Sequence, residues 1–523
     1  MGRGAARDAA GGWRGPLLVT LMATACPGWA ADGFQFSGYA RSWLSLNLSD
    51  VPETAGNDRY APSMVRGAVS LEGAYTTGDV AVRVIGRAER EARTDYLDDL
   101  QDVADANAAA FGLQAGDIME MYDREEFREA YVDWTPSPLF SMRLGKQQVV
   151  WGETDFFQAM DLVNGYDYRW RSFLEPENAE LRKPLILGNF VFSLPDQDAS
   201  VQLLVRPGMD GGDAIGNSYD IHAGRWAVQP YKGVDFGTLT DYDYHHPEGD
   251  ADDVTWGVRW KQTLGDINYS IAYLKTFYNE PVFSPADNPH GGKATSGLLA
   301  DVIHPIIDVV GLTANGYSET LDAVLSTEIA YQMDVPYNYG STYTSLLLQA
   351  LGFPADTGFT PGLEGVRTKD TLVTMFRADK NLRLERLIGT NRPSLFSVQL
   401  FNRHLFDYDA DEDDLVDFAM YSGRKKQDTT ILTAFLAMNF DADRINPTVA
   451  AGFDLTHGGA FLIPSVDIAY GDSWRFRVEA DLFFPAHDKE PGNGGLGVPE
   501  NDTHLLGWFS NNDQLMLRAT YQF

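Results

Sequence analysis

The chain has 523 residues, with 74 acidic against 41 basic side chains and a formal net charge of −33. That balance argues against a nucleic-acid partner, because a phosphate backbone is met by clustered Lys and Arg. With 44% hydrophobic and 12% aromatic residues it is not a disordered chain, and its one cysteine excludes a disulfide scaffold or a multi-thiolate metal site.

Residues 1–30 have the layout of a secretory signal peptide. Arg3, Arg7 and Arg14 form a positively charged start interrupted only by Asp8. An apolar stretch then runs from Leu17 to Ala25, and small residues surround Gly28-Trp29-Ala30, with the cut expected after Ala30. Cys26 raises a lipoprotein alternative, which Ala23 (where such signals prefer Leu) and Pro27 oppose. No later stretch of about 18 uninterrupted apolar residues exists to form a spanning helix. The most apolar run, Gly297 to Leu312, is interrupted by Asp301, His304, Pro305 and Asp308. An exported chain of this kind is either soluble or a β-barrel.

Period-two alternation favours the barrel over residues 31–523. Strands are expected near 34–48, 64–76, 79–89, 124–135, 139–148, 184–194, 199–206, 253–264, 267–277, 326–334 and 368–378. Further ones are expected near 393–406, 428–440, 446–457, 461–471, 473–484, 504–510 and 514–523. The segments 254–261 and 267–273 alternate on either side of Gly265-Asp266, a hairpin turn. Trp474, Phe476, Val478, Ala480 and Leu482 alternate with Arg475, Arg477, Glu479 and Asp481, which suits lipid outside and water inside. The chain closes on Leu515, Leu517, Ala519, Tyr521 and Phe523 at every second position. This final strand, with Tyr521 and Phe523, resembles the signal read by the outer-membrane barrel assembly machinery. The expectation is an all-β transmembrane antiparallel barrel of about 16 strands, range about 14 to 18, with long acidic loops and one loop folded inward.

Three acidic stretches read as solvated loops: Asp95 to Asp105, Asp241 to Asp253, and Asp407 to Asp414. The last fails as a calcium loop, since Glu412 replaces the required glycine and Phe418 stands where a bidentate Glu belongs. Residues 297–352 mix signals. Leu298, Val302, Ile306, Val309 and Leu312 fit a broken, apolar-faced helix, and Leu346 to Phe353 forms a second apolar patch, together a hydrophobic loop or plug. The segment 150–183 is different: alternation stops, and charges of both signs crowd beside aromatics. Trp151, Glu153, Asp155, Asp161, Asn164, Asp167, Arg169, Arg171 and Lys183 are the expected pore or ligand residues of a lumen constriction, with the aspartates paired to Arg169, Arg171 and Lys183.

The stretch Lys146-Gln147-Gln148-Val149-Val150-Trp151-Gly152-Glu153-Thr154-Asp155-Phe156-Phe157, followed by Asp161-Leu162-Val163-Asn164, resembles the hallmark of a Gram-negative outer-membrane family, domain-of-unknown-function family 1302. Thr327 to Tyr331 and Arg392 to Phe401 resemble it too. Gly165 stands where that family usually has Pro. The resemblance implies a porin-like protein that passes lipid-like or hydrophobic molecules, often encoded beside inner-membrane lipid exporters; it supplies no catalytic residue.

Enzyme motifs are missing. The nine histidines show no HExxH spacing and no GxSxG elbow occurs; His404 and His457 are the only candidates for a barrel lipid hydrolase. The sequence therefore points to a non-enzymatic channel without cofactor or metal, in contact with outer-membrane lipid and lipopolysaccharide. Its acid excess predicts cation preference if it lines the lumen. The alternative is a ligand- or partner-gated transporter of hydrophobic compounds linked to an inner-membrane exporter.

Overall fold

The computed structural model describes residues 33–51, 54–152, 154, 156–227, 240–285, 300–340, 365–416, 424–486 and 504–523. The signal-peptide expectation, Glu153, Asp155, and the apolar patch at 346–353 lie outside them.

The alternating segments form eighteen long antiparallel strands. In chain order they are β1 (Phe34–Asn47), β2 (Pro62–Thr77), β3 (Val80–Glu91), β4 (Arg124–Ser137), β5 (Phe140–Gln147) and β6 (Leu185–Leu194). Next come β7 (Ala199–Arg206), β8 (Thr255–Leu264), β9 (Ile267–Phe277), β10 (Ile306–Ser318), β11 (Ala323–Tyr339) and β12 (Gly365–Leu382). The last are β13 (Ser394–Leu405), β14 (Asp428–Ala437), β15 (Ile445–Asp454), β16 (Ala460–Tyr470), β17 (Trp474–Phe484) and β18 (Gln514–Gln522). Each pairs with its chain neighbours, and β18 returns to β1 from Asn47↔Gln514 to Tyr39↔Gln522. Backbone bonds of 3.0 Å between Gly38 and Phe523 finish the seam. The wall has no edge. Eighteen strands is the top of the range expected from the alternation.

Antiparallel order puts every connection of two to four residues at one end. Gly265, at φ +62°, turns the two-residue link between β8 and β9. The long connections, including 92–123, 148–184 and 207–254, all leave the opposite end. The wall is apolar outside: in β17, Trp474, Phe476 and Val478 are exposed while Glu479 and Asp481 are buried. Leu71, Val132, Ile271, Phe376, Leu400 and Leu517 continue that belt around the barrel. An apolar exterior over a charged interior is the membrane β-barrel arrangement.

Three expectations need correction. Residues 306–318, expected within a broken helix of the loop or plug, are strand β10, while the strand expected near 326–334 is present as β11. The cause is apolar side chains on both faces: Val310 and Leu312 point out and are exposed, while Ile307, Val309 and Gly311 pack inward against the lumen filling. The resulting unbroken apolar run hides the alternation. Ala300–Ile303 is also extended, in a small inner sheet with Thr240–Tyr242 and Val282–Pro285. The acidic stretch from Asp95 is a helix, α1 (Asp95–Ala110), whose Thr94 side chain accepts from Leu97 N at 3.3 Å; it buries Tyr96, Leu97, Leu100, Ala104 and Ala108. The expected strand at 504–510 contains a helical turn, Leu505–Trp508.

Candidate functional site

Between β5 and β6 the chain leaves the wall and fills the lumen. Asn164 ties the two ends of this segment together, its Oδ1 accepting from Val149 N at 2.9 Å and its Nδ2 donating to Lys183 O at 2.7 Å. The segment then spans to the far wall. Met160 N donates to Glu328 of β11 at 2.9 Å, and the Phe157 ring meets Phe401 of β13 at 5.7 Å. The three stretches that carry the family resemblance thus converge on one place. Gly311 of β10 leaves room for Met160, whose side chain a Cβ there would meet at 2.2 Å. A second strand of chain backs the segment: Ser218 N donates to Tyr166 O at 2.8 Å, and Tyr168 N to Ser218 O at 2.9 Å. Gly165 is required there, since a Cβ would stand 1.7 Å from Gly216 O.

Charge fixes the segment to the wall. Inward arginines of β18, β1 and β3 receive its acidic end: Arg518 holds Glu177 at 2.9 Å, Arg41 holds Glu180 at 3.2 Å, and Arg87 holds Glu180 at 2.7 Å. Burial alone would raise the Glu180 carboxyl, but Arg87, Arg41 and Arg128 outweigh it and hold it low. Arg171 bonds Glu175 at 3.0 Å, bonds Glu479 of β17, and lies 3.6 Å from Asp481. All four side chains are essentially buried.

The sequence-predicted pairs are partly redistributed. Asp167 does pair with Arg169, at 2.7 Å; burial would raise its carboxyl, and Arg169, Arg124 and Lys183 together hold it far below the usual range. Asp161 pairs with Arg182 instead, and accepts from Tyr166 Oη at 2.6 Å. Among the described residues Lys183 has no carboxylate in bonding range: its Nζ donates to Asp213 O at 2.8 Å, Ile215 O at 3.0 Å and Ser218 Oγ at 2.9 Å. Its burial, opposed by Asp213 and Asp167, pulls the ammonium down to about 7. Trp151 lies against the wall, its Nε1 donating to Gln202 of β7 at 3.1 Å.

The segment separates two chambers of opposite character. On the long-loop side lies an aromatic cavity of about 250 Å³, walled by Phe156, Phe157, Tyr168, Phe173, Tyr337 and Phe401. Phe156 stands at φ +58°, a backbone region that costs a non-glycine residue about 1–3 kcal/mol. On the tight-turn side lies a polar chamber of about 640 Å³, lined by Trp151, Arg259, Lys261, Ser270, Thr313 and Asn315 among others.

The family described as "Protein of unknown function (DUF1302)" matches residues 83–523. The chain belongs to this family. No curated protein matches it. Solved structures to which the DUF1302 chain is similar include Pseudomonas aeruginosa OpdK with vanillate, at 10% identity over 94% of this chain and 98% of that one, TM-score 0.43. Acinetobacter baumannii OccAB2 is 8% identical over 95% and 99%, TM-score 0.45. Salmonella typhi OmpF in complex with daunomycin is 11% identical over 94% and 97%, TM-score 0.40.

In this DUF1302 chain the two histidines considered for hydrolysis have carboxylate partners. His404 Nδ1 lies 2.9 Å from Asp428 and packs on the Phe406 ring. His457 Nδ1 lies 3.2 Å from Asp454 and stacks on His504. Neither bonds a serine among the described residues. Sequence reasoning missed the wall's share of the site, Arg41, Arg87, Arg518, Glu479 and Glu328; the signal available for them was their place on the inward parity of their strands.

Proposed function

We propose that this protein is an outer-membrane channel of the porin kind that passes a small apolar or lipid-like solute, constricted by segment 150–183. The observation that carries the reading is the pair of unlike chambers, aromatic on the long-loop side and polar on the tight-turn side, with one pinned segment between them. A solute with an apolar body is taken up by the first and released to water through the second. Trp151, Asp161, Asn164, Asp167, Arg169, Arg171 and Lys183 frame the passage. The apolar belt meets outer-membrane lipid and lipopolysaccharide, and the tight-turn end faces the periplasm, where an inner-membrane transporter delivers or receives the solute. Export by the 1–30 signal, and recognition of Tyr521 and Phe523 by the assembly machinery, belong to the same proposal.

This reading drops the cation preference expected from composition. The carboxylates beside the segment, Glu177, Glu180 and Glu479, each face an arginine.

A second reading, a ligand- or partner-gated transporter, is favoured by the number of bonds that hold the segment shut. Planar-bilayer conductance distinguishes the two. The expected result is a low, steady wild-type current that rises when Asp167→Asn, Arg169→Met and Arg171→Met loosen the segment together. A folded wild type that stays silent while the triple variant conducts supports gating, and silence of both sinks the channel.

A further inference from the structure

The polar chamber contains a cation of an unusual kind. Arg259, on the inward face of β8, is 9% exposed, yet no carboxylate among the described residues forms an ion pair with it. Its Nε and Nη2 donate to Gln202 Oε1 at 3.1 and 2.8 Å, its Nη1 reaches Trp151 O at 3.5 Å, and its guanidinium lies 5.0 Å over the Trp151 ring. These are neutral partners. A guanidinium carries five N–H donors, so at least two remain for the chamber it lines. Every other inward arginine discussed above is bonded by a carboxylate; this one is held in place by an amide and an indole, and the Asp161 carboxylate acts on it only from beyond bonding range.

The rest of the lining fits an anion. Among the described residues Asp198, in the tight turn at the rim, is the one carboxylate that lines the chamber, and Ser200 with the hydrogen-bonded pairs Ser270–Thr313 and Asn268–Asn315 gives it a polar wall of hydroxyls and amides. Burying a charge without a counter-ion is costly, and a planar guanidinium is the side chain best matched to a carboxylate, through two parallel bonds. Trp151 lies beside Arg259 and belongs to the segment that separates this chamber from the aromatic cavity.

We infer that the chamber is a carboxylate-binding station anchored by Arg259, and hence that the solute is an amphipathic organic acid with an apolar body and an anionic head. This deepens the channel reading and rests on it for the solute's passage, though binding itself is tested apart from transport. The probes are benzoate and its neutral isostere benzamide, titrated calorimetrically into the folded protein in detergent.

Benzoate is expected to bind more tightly than benzamide, and Arg259→Gln to weaken benzoate about tenfold, the worth of a lost charge-assisted bond, while leaving benzamide unchanged. Arg259→Lys, which keeps the charge, should recover part of the loss. Thr313→Asp, which sets a competing carboxylate in the same chamber, should weaken benzoate with Arg259 intact and serves if Arg259→Gln does not fold. Equal affinity for benzoate and benzamide in the wild type, or undiminished benzoate binding in Arg259→Gln or Thr313→Asp, overturns the assignment. Channels that stay silent while benzoate binding still depends on Arg259 would remove the passage and keep the station.

Discussion

Arg171 illustrates how far single residues can be read. The sequence marked it as an inward charge but suggested the nearby aspartates as partners, because spacing along the chain is visible and the far wall is not. Its partners are Glu175, four residues on, and Glu479 and Asp481 on β17. Removing one member of a buried ionic cluster leaves the others uncompensated, which costs about 3–5 kcal/mol. Arg171→Met should therefore raise the hydrogen exchange of 148–184, read by mass spectrometry, while the strands away from β17 keep their protection. Arg392→Met, at a pair that is half-exposed or more on both sides, should change exchange by less than about 1 kcal/mol. Equal effects would mean that Arg171 is not a latch. The Asp167–Arg169 pair lies within the set of aspartates and cations named from the sequence, which did not say which aspartate meets which cation; Arg124, from β4, is a second partner of Asp167.

Elements were legible wherever one face met lipid and the other met water. β17 and β18 were read residue by residue from their alternation. The reading failed where the inner face is also apolar, as in β10, whose Ile307 and Val309 pack on the lumen filling. It failed as well at α1, where acidic residues drew attention and the apolar set at Tyr96, Leu97, Leu100, Ala104 and Ala108 passed unnoticed beneath them. The N-cap Thr94 and the first-turn Asp95 and Asp98 were available as helix signals. Gly165 reverses an expectation in another way: a glycine noted only as standing where the family usually has Pro is where two lumen strands touch. Gly165→Ala forces its methyl into Gly216 O. It should free the amides of Tyr168 and Ser218 for exchange and leave β5 and β6 protected. Retained protection at those amides would show that the backbones can separate without loss.

For the whole molecule, the barrel followed from composition and alternation together, and its lumen contents did not. The outside obeys a two-residue period that one sequence displays, whereas the filling is irregular and set by contacts between distant segments. The orientation of the wall makes a quantitative prediction. Val478 is exposed midway along β17, so Val478→Arg places a charge in hydrocarbon and should cost about 2–4 kcal/mol of folding free energy in lipid vesicles. Thr520→Ser, on the inward face of β18, keeps the hydroxyl that accepts from Arg41 and loses one buried methyl, so it should cost less than about 1.5 kcal/mol. A tolerated Arg at 478 would contradict the lipid face.

The seam between β1 and β18 also sets an order of events. Arg171 and Glu479 are separated by 308 positions, and Arg41 and Thr520 by 479. Contacts this remote form late, because loop closure must precede them. The chain emerging first carries the filling, yet half of the filling's counter-charges arrive with the last strands. Until the wall rolls shut around it, the segment is a cargo without a container, its arginine and glutamates still wet. Closure and dehydration are then a single step, and any variant that delays the final strand should accumulate a form in which the interior of the finished barrel is still open to water.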